Sequence, residues 1–207
     1  MIEDMRIMSR RAVAALSGGM DSTGLLLRLL ADGYRVSCLS YDYGQKHNIE
    51  LERAAKNIEY LSEHGLFVEH NIIDLKPAIG VFYSALTTPD FDIPEGHYEE
   101  EQMKQTVVPN RNAIFASILY GHALSIAQRE NTEIVIGLGV HSGDHAIYPD
   151  CRPEFYKAIE YAFNIGNWES DRVRFYLPYL TGDKVTILHD ALETCESLNL
   201  DFERIFK

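Results

Sequence analysis

Ala12-Val13-Ala14-Ala15-Leu16-Ser17-Gly18-Gly19-Met20-Asp21-Ser22 decides the fold: an apolar run, then a glycine pair between hydroxyls, then a leucine-rich helical pattern. Adjacent Gly18 and Gly19 can take positive φ without a Cβ penalty and let the backbone close on an anion. Ser17 and Ser22 add hydroxyl donors, and the following helix adds its N-terminal N–H groups. The segment reads as strand, phosphate cradle and helix. A loop for γ-phosphoryl transfer has the G-x-x-x-x-G-K-[ST] spacing, with a lysine on the β/γ-phosphates. No lysine precedes Lys46, so that chemistry is disfavoured. An ordinary Gly-Gly turn is the plain alternative.

Outward from the cradle, Arg10 to Leu16 and Tyr34 to Tyr41 read as strands around a helix from Ser22 to Ala31, a first βαβ unit. Leu51, Ala54, Ala55, Ile58 and Leu61 keep helical spacing, and Gly65 suits a helix C-cap before a third strand, Leu66 to Ile73. The pattern breaks at Pro77 and stays irregular to Pro109. Asn112 can cap a helix from Ala113 to Gln128 that is apolar nearly all round and is expected to be buried centrally. Glu133 to Leu138 reads as a strand. Pro153 suits the start of a helix whose face carries Phe155, Ile159 and Phe163. Arg172 to Tyr176 is a last strand, and Asp183 can cap a helix packing through Val185, Leu188, Leu192 and Cys195.

This alternation predicts an α/β protein with a single doubly wound parallel sheet, covered on both faces, and a ligand cleft at the carboxyl ends of its strands. Ser17–Ser22, Asp42–His47, His141–Arg152 and Thr181–Lys184 follow strands one, two, four and five. One cleft is expected to collect them.

A length of 207 residues with 46% hydrophobic and 24% charged residues fits one domain, residues 1–207. The net charge of −12 argues against direct nucleic-acid binding, which uses clustered Lys and Arg. Glu95 and Glu99-Glu100-Glu101 read as a solvated loop. No apolar stretch approaches the about 18 residues of a membrane span, and Met1 to Arg6 lacks a signal-peptide core, so a cytoplasmic protein without a membrane partner is expected. Cys38, Cys151 and Cys195 are odd in number and widely spaced, which suggests neither a disulfide framework nor a thiolate zinc site.

Several polar clusters carry candidate chemistry. Asp42-Tyr43-Gly44-Gln45-Lys46-His47 is a charged turn suited to a nucleotide or a second substrate. Arg111, at a helix entrance, presents a fork of donors to an adenylate phosphate or a carboxylate, or is a surface arginine. Asp144, Tyr148, Asp150, Cys151, Arg152 and Glu154 form the densest constellation, with acceptors and donors for a flat, guanine-like heterocycle. His141, Asp144 and His145 are also readable as metal ligands, although no further ligand is in register. Lys184 is a cation in a first helical turn, against the dipole, which points to a charge aimed at a bound phosphate. Asp21 either meets phosphate and magnesium or caps its own helix.

S-G-G-M-D-S resembles the pyrophosphatase loop of adenylating enzymes, which break the α–β bond of ATP and leave AMP on an acceptor. Together with S-Y-D-Y-G-Q-K-H from Ser40 to His47, Ser84-Ala85-Leu86-Thr87, V-P-N-R-N at Val108 to Asn112, and Y-P-D-C-R-P-E-F at Tyr148 to Phe155, it makes nearly the whole chain similar to the 7-cyano-7-deazaguanine synthase (QueC) family. The resemblance implies an adenine-nucleotide alpha-hydrolase-like fold of the PP-loop ATP pyrophosphatase type. It implies conversion of 7-carboxy-7-deazaguanine, ammonia and ATP into a nitrile, with magnesium and as a homo-oligomer. Ser17, Asp21, Ser22 and Lys184 would act on the phosphates, Gly18, Gly19 and Arg111 would help hold the nucleotide, and Asp21 would meet the metal. Asp144, Tyr148, Asp150, Arg152 and Glu154 would hold the deazaguanine. The sequence departs from the family in two places. The family's C-terminal zinc-binding cysteine cluster has no counterpart before Lys207, so zinc is not expected. His141-Ser142-Gly143-Asp144-His145 stands where the family usually has N-A-V-D-Y. Two alternatives follow: an adenylating enzyme that joins the deazaguanine to a protein amine, as in antiphage systems, or a non-catalytic nucleotide-binding subunit.

Overall fold

The protein is described by a computed structural model over residues 10–45, 49–82, 108–141, 143 and 148–206. Five strands, β1 (Arg11–Ala15), β2 (Arg35–Asp42), β3 (Glu69–Asp74), β4 (Ile134–Gly137) and β5 (Val173–Tyr176), form one sheet in the order β3-β2-β1-β4-β5. Every pairing is parallel. The order reverses between β1 and β4, which is where open parallel sheets hold their ligands. The predicted single doubly wound sheet is therefore present.

Side chains alternate across the sheet because successive Cβ atoms point to opposite faces. Ala12, Ala14 and Leu16 enter one core with Leu25, Leu26 and Leu29 of α1 (Met20–Ala31), Ala54 and Leu61 of α2 (Ile49–Glu63), and Ile187 of α6 (Lys184–Ser197). Val13, Leu39, Tyr41, Ile134 and Ile136 enter the other with Leu119, Ala123 and Ile126 of α4 (Arg111–Glu130) and Tyr156 of α5 (Pro153–Gly166). A short α3 (Lys76–Ile79) starts at the Pro77 break, and α7 (Phe202–Phe206) comes last. Gly65 closes α2 as expected, with φ +77° and the Leu66 N–H on the Leu61 carbonyl at 2.9 Å.

Three local expectations are corrected. Asn112 does not cap α4: the cap position is Asn110, in the left-handed conformation, and Asn112 lies in the first turn. Nor is α4 buried all round, because Ser117, Gly121 and Ser125 face outward and their side opposes the sheet contact. On α6 the packed face is Ile187, Ala191, Thr194 and Cys195, whereas Val185, Leu188 and Leu192 are exposed. The cause is helix proximity: α6 lies so close to α1 that a Cβ on Gly24 would sit 3.0 Å from Ile187 Cγ2. Small residues at the crossing, and the Asp190 carboxylate held by Arg28 and Tyr179, outrank the larger apolar stripe. The Asp183 cap is as predicted, forming a capping box with Thr186.

Candidate active site

Buried Leu16 follows β1, and Ser40 Oγ of β2 donates to its carbonyl at 2.5 Å, fixing where the Ser17–Ser22 loop begins. Gly18 then takes φ +87°, and a Cβ there would fall 2.0 Å from the Glu50 carbonyl oxygen of α2. Only glycine fits, because the loop backbone is pressed onto α2 in a conformation that L side chains disfavour. The two loop hydroxyls prefold the cradle. Ser17 and Ser22 Oγ lie 3.0 Å apart, the Ser17 N–H donates to Ser22 Oγ at 3.1 Å, and the Gly19 N–H donates to Ser17 Oγ at 3.2 Å. The helix cap is Gly19 and carries no side-chain cap, so Asp21 does not cap α1. Its carboxylate instead lies 3.4 Å from Nε2 of buried His141.

A cavity of about 290 Å³ opens at the switch point between β1 and β4. Ser17, Asp21 and Ser22 border it on one side, and Arg111, Asn112 and Phe115 of α4 border it on the other. Tyr41 and Tyr43, from the end of β2, complete an aromatic wall. Tyr41 and Phe115 stack at 4.1 Å with 10° between their planes, and the Arg111 guanidinium lies 5.9 Å from the Tyr43 and Phe115 ring centres. Burial alone would lower the Arg111 pKa. The Tyr43 hydroxyl, Tyr148 and Asp150 together outweigh it, and the net shift is upward. Burial likewise pushes the Tyr41 and Tyr156 hydroxyls above their ordinary range, so both remain neutral donors.

The expected site residues divide. Ser17, Asp21, Ser22 and Arg111 meet at this cavity, with Gly18 and Gly19 shaping the loop behind it. Of the Tyr148–Glu154 turn, Cys151 borders the cavity, buried and accepting from Asn112 Nδ2 at 3.6 Å. Tyr148 and Asp150 lie within electrostatic reach of Arg111, and among the described residues one buried Asp150 oxygen has no hydrogen-bond partner. Arg152 and Glu154 are exposed outside the cavity, and so is Lys184, so one cleft does not collect the β5 loop. In the turn after β2, Tyr43 and Gln45 reach the cavity, while Asp42 is drawn away by Lys76 Nζ at 2.6 Å. Lys46, His47, Ser84–Thr87, Glu95, Glu99–Glu101, Asp144 and His145 lie outside the described residues. Among the described residues no group of three or more His, Cys, Asp or Glu side chains is placed to hold a metal, and His141 is engaged with Asp21 instead.

Sequence reasoning missed the aromatic wall. Phe115 stands four residues after Arg111 on one helix, so the i, i+4 relation was available as a signal. Gly139 was also missed. A Cβ there would come within 2.7 Å of the Asp21 carbonyl oxygen, a long-range approach with no local signature.

A family model described as queuosine biosynthesis protein QueC matches residues 11–204. The chain belongs to this family. A relative from Pseudoalteromonas translucida named 7-cyano-7-deazaguanine synthase is 41% identical over 95% of this chain and 83% of its own length. One from Colwellia psychrerythraea, named 7-cyano-7-deazaguanine synthase 1, is 44% identical over 90% of this chain and 80% of its own. Among solved structures, NMN synthetase from Francisella tularensis aligns at TM-score 0.48 and 15% identity over 98% of this chain and 67% of that one. Among the described residues no helix is long and apolar enough to cross a membrane.

Proposed function

We propose that the protein is an ATP-dependent carbon–nitrogen ligase that converts 7-carboxy-7-deazaguanine and ammonia into 7-cyano-7-deazaguanine. One observation carries this within the family: a prefolded phosphate loop with a carboxylate faces a charged arginine and an aromatic wall across a single cavity. Adenylation needs both halves. The carboxylate of the deazaguanine attacks the α-phosphorus of ATP, the α–β bond breaks, and pyrophosphate leaves toward Ser17–Ser22 while AMP stays on the acyl oxygen. Ammonia then displaces AMP to give the amide. A second adenylation, on the amide oxygen, ends with loss of AMP and two protons as the nitrile forms.

Catalysis in such a site is mostly positioning and charge neutralisation. Ser17 and Ser22 exchange their mutual hydrogen bonds for phosphate oxygens, and the α1 N-terminus adds its N–H groups. Arg111 holds the substrate carboxylate or the adenylate phosphate beside the aromatic wall. Tyr148, Asp150, Arg152 and Glu154, with Asp144, are assigned to the deazaguanine. Lys184, on a long flexible stem, is assigned to the leaving pyrophosphate.

Magnesium fits the donor set, because it is commonly held by one or two carboxylates together with substrate phosphates, and Asp21 supplies one carboxylate at the loop. When bound, it neutralises phosphate charge. Zinc is not expected as a resident metal. Cys38, Cys151 and Cys195 are each buried, on β2, the turn before α5 and α6, so they do not form one ligand set. Elemental analysis of the purified protein checks this; one tightly held zinc per chain would overturn it.

The whole chain, residues 1–207, is taken as one PP-loop ATP pyrophosphatase-type domain acting in the cytoplasm. A homo-oligomer is supported by the exposed Val185, Leu188 and Leu192 on one side of α6. Light scattering would read a smaller particle for the Leu188→Glu variant. The reaction itself is tested by AMP and pyrophosphate release with and without 7-carboxy-7-deazaguanine and ammonia. Release that ignores both co-substrates would overturn the assignment.

A further inference from the structure

Two contacts brace Asp21 from the segment that follows β4. Gly139 passes so close that a Cβ would meet the Asp21 carbonyl oxygen at 2.7 Å, and two residues later His141, 1% exposed, brings Nε2 to 3.4 Å from Asp21 Oδ2. The other ring nitrogen is committed. The Gly143 N–H donates to His141 Nδ1 at 3.0 Å, so Nδ1 is an acceptor and a ring proton sits on Nε2, the nitrogen nearer the carboxylate. Gly143 has to lack a side chain for this, since a Cβ there would lie 2.8 Å from His141 Cε1.

The contrast with two structural carboxylates gives the arrangement its meaning. Asp42 is bound to Lys76 and Asp190 to Arg28, so their charges are matched by cations. His141 instead meets the Asp21 carboxylate with a ring nitrogen, which fixes the direction of the carboxylate from the buried side. Such partners tune metal affinity by fixing the direction of the ligand. A separation of 3.4 Å suits a contact that tightens when the site fills.

We infer that His141 is a positioning residue that, with a ring proton on Nε2, holds the Asp21 carboxylate aimed into the cavity and so sets the affinity for magnesium, and through it for phosphate, there. This rests on the assignment of Asp21 to magnesium above, and it assigns His141 no bond to the metal.

The test uses binding, without turnover. Nitrogen-15 NMR of the ligand-free protein near neutral pH reads the ring tautomer. Calorimetry with a non-hydrolysable ATP analogue, with and without magnesium, compares the wild type with His141→Leu and His141→Gln, whose amide places a donor near the Nε2 position. The expected result is an Nε2-protonated ring. His141→Leu weakens the magnesium-dependent part of binding by about 10- to 100-fold. His141→Gln recovers to within about threefold, and metal-free binding of the analogue is unchanged. A ring with its proton on Nδ1 and none on Nε2 overturns the inference even if His141→Leu fails to fold. Equal binding by His141→Gln and His141→Leu overturns it too. A wild type whose analogue binding ignores magnesium overturns the Asp21 assignment and the inference with it, an outcome distinct from failure of the variants alone.

Discussion

The Ser17–Ser22 loop and the Tyr148–Glu154 turn approach the same cavity, yet the first is closed by its serine hydroxyls and pressed onto α2, while the second is a short turn closed by backbone bonds, Cys151 N–H to the Tyr148 carbonyl and Arg152 N–H to the Pro149 carbonyl, that leaves Arg152 and Glu154 exposed. Gly18 is pressed against α2 at a positive φ, and the Ser17 and Ser22 hydroxyls bond to each other and to loop N–H groups. In the later turn, Cys151 is anchored on Asn112, while Arg152 and Glu154 extend into solvent. A phosphate cradle presents backbone groups to a ligand with the same geometry every time, so its conformation is built into the chain.

Substitutions that separate backbone from side chain bear most strongly on this contrast. Gly18→Ala has the largest expected effect. The left-handed conformation and the overlap with Glu50 cost about 2 kcal/mol or more, so the melting temperature falls and AMP formation is lost. A variant that melts and turns over like the wild type would show that α2 does not fix the loop.

Asp21→Asn keeps the shape and removes the charge. AMP formation is expected to fall at least ~100-fold while the melting curve stays within a few degrees, since the side chain faces the cavity and not the core. Loss of stability in step with activity would make Asp21 a structural residue.

In the later turn, Asp150→Asn is expected to weaken deazaguanine binding by roughly 1–3 kcal/mol while leaving ATP affinity unchanged, because one of its oxygens is buried without a hydrogen-bond partner among the described residues. Arg152→Ala, at an exposed position, should cost less. Separate titrations of the two ligands decide this. Equal losses for both would place the turn in general architecture and erase the contrast.

The smallest effect is expected at Lys184. Removing an exposed cation outside the cavity should slow pyrophosphate release about fivefold, since a flexible charge at this distance is partly screened. An unchanged rate would take Lys184 out of the site and leave the leaving pyrophosphate to the Ser17–Ser22 loop.

Sequence by itself determined the alternation of strands and helices, the parallel sheet, the position of the Ser17–Ser22 turn between β1 and α1, and the caps at Gly65 and Asp183. Each rests on interactions among residues a few positions apart, such as a glycine's φ or a capping box, and these are written in local spacing. Tertiary structure alone decided that α6 buries Ile187 and Ala191 instead of Val185 and Leu188. It also decided that Phe115 stacks on Tyr41, and that His141 meets Asp21. Those choices depend on how closely distant elements approach, as at Gly24 and Gly139, where the missing Cβ admits a neighbour more than a hundred residues away in the chain.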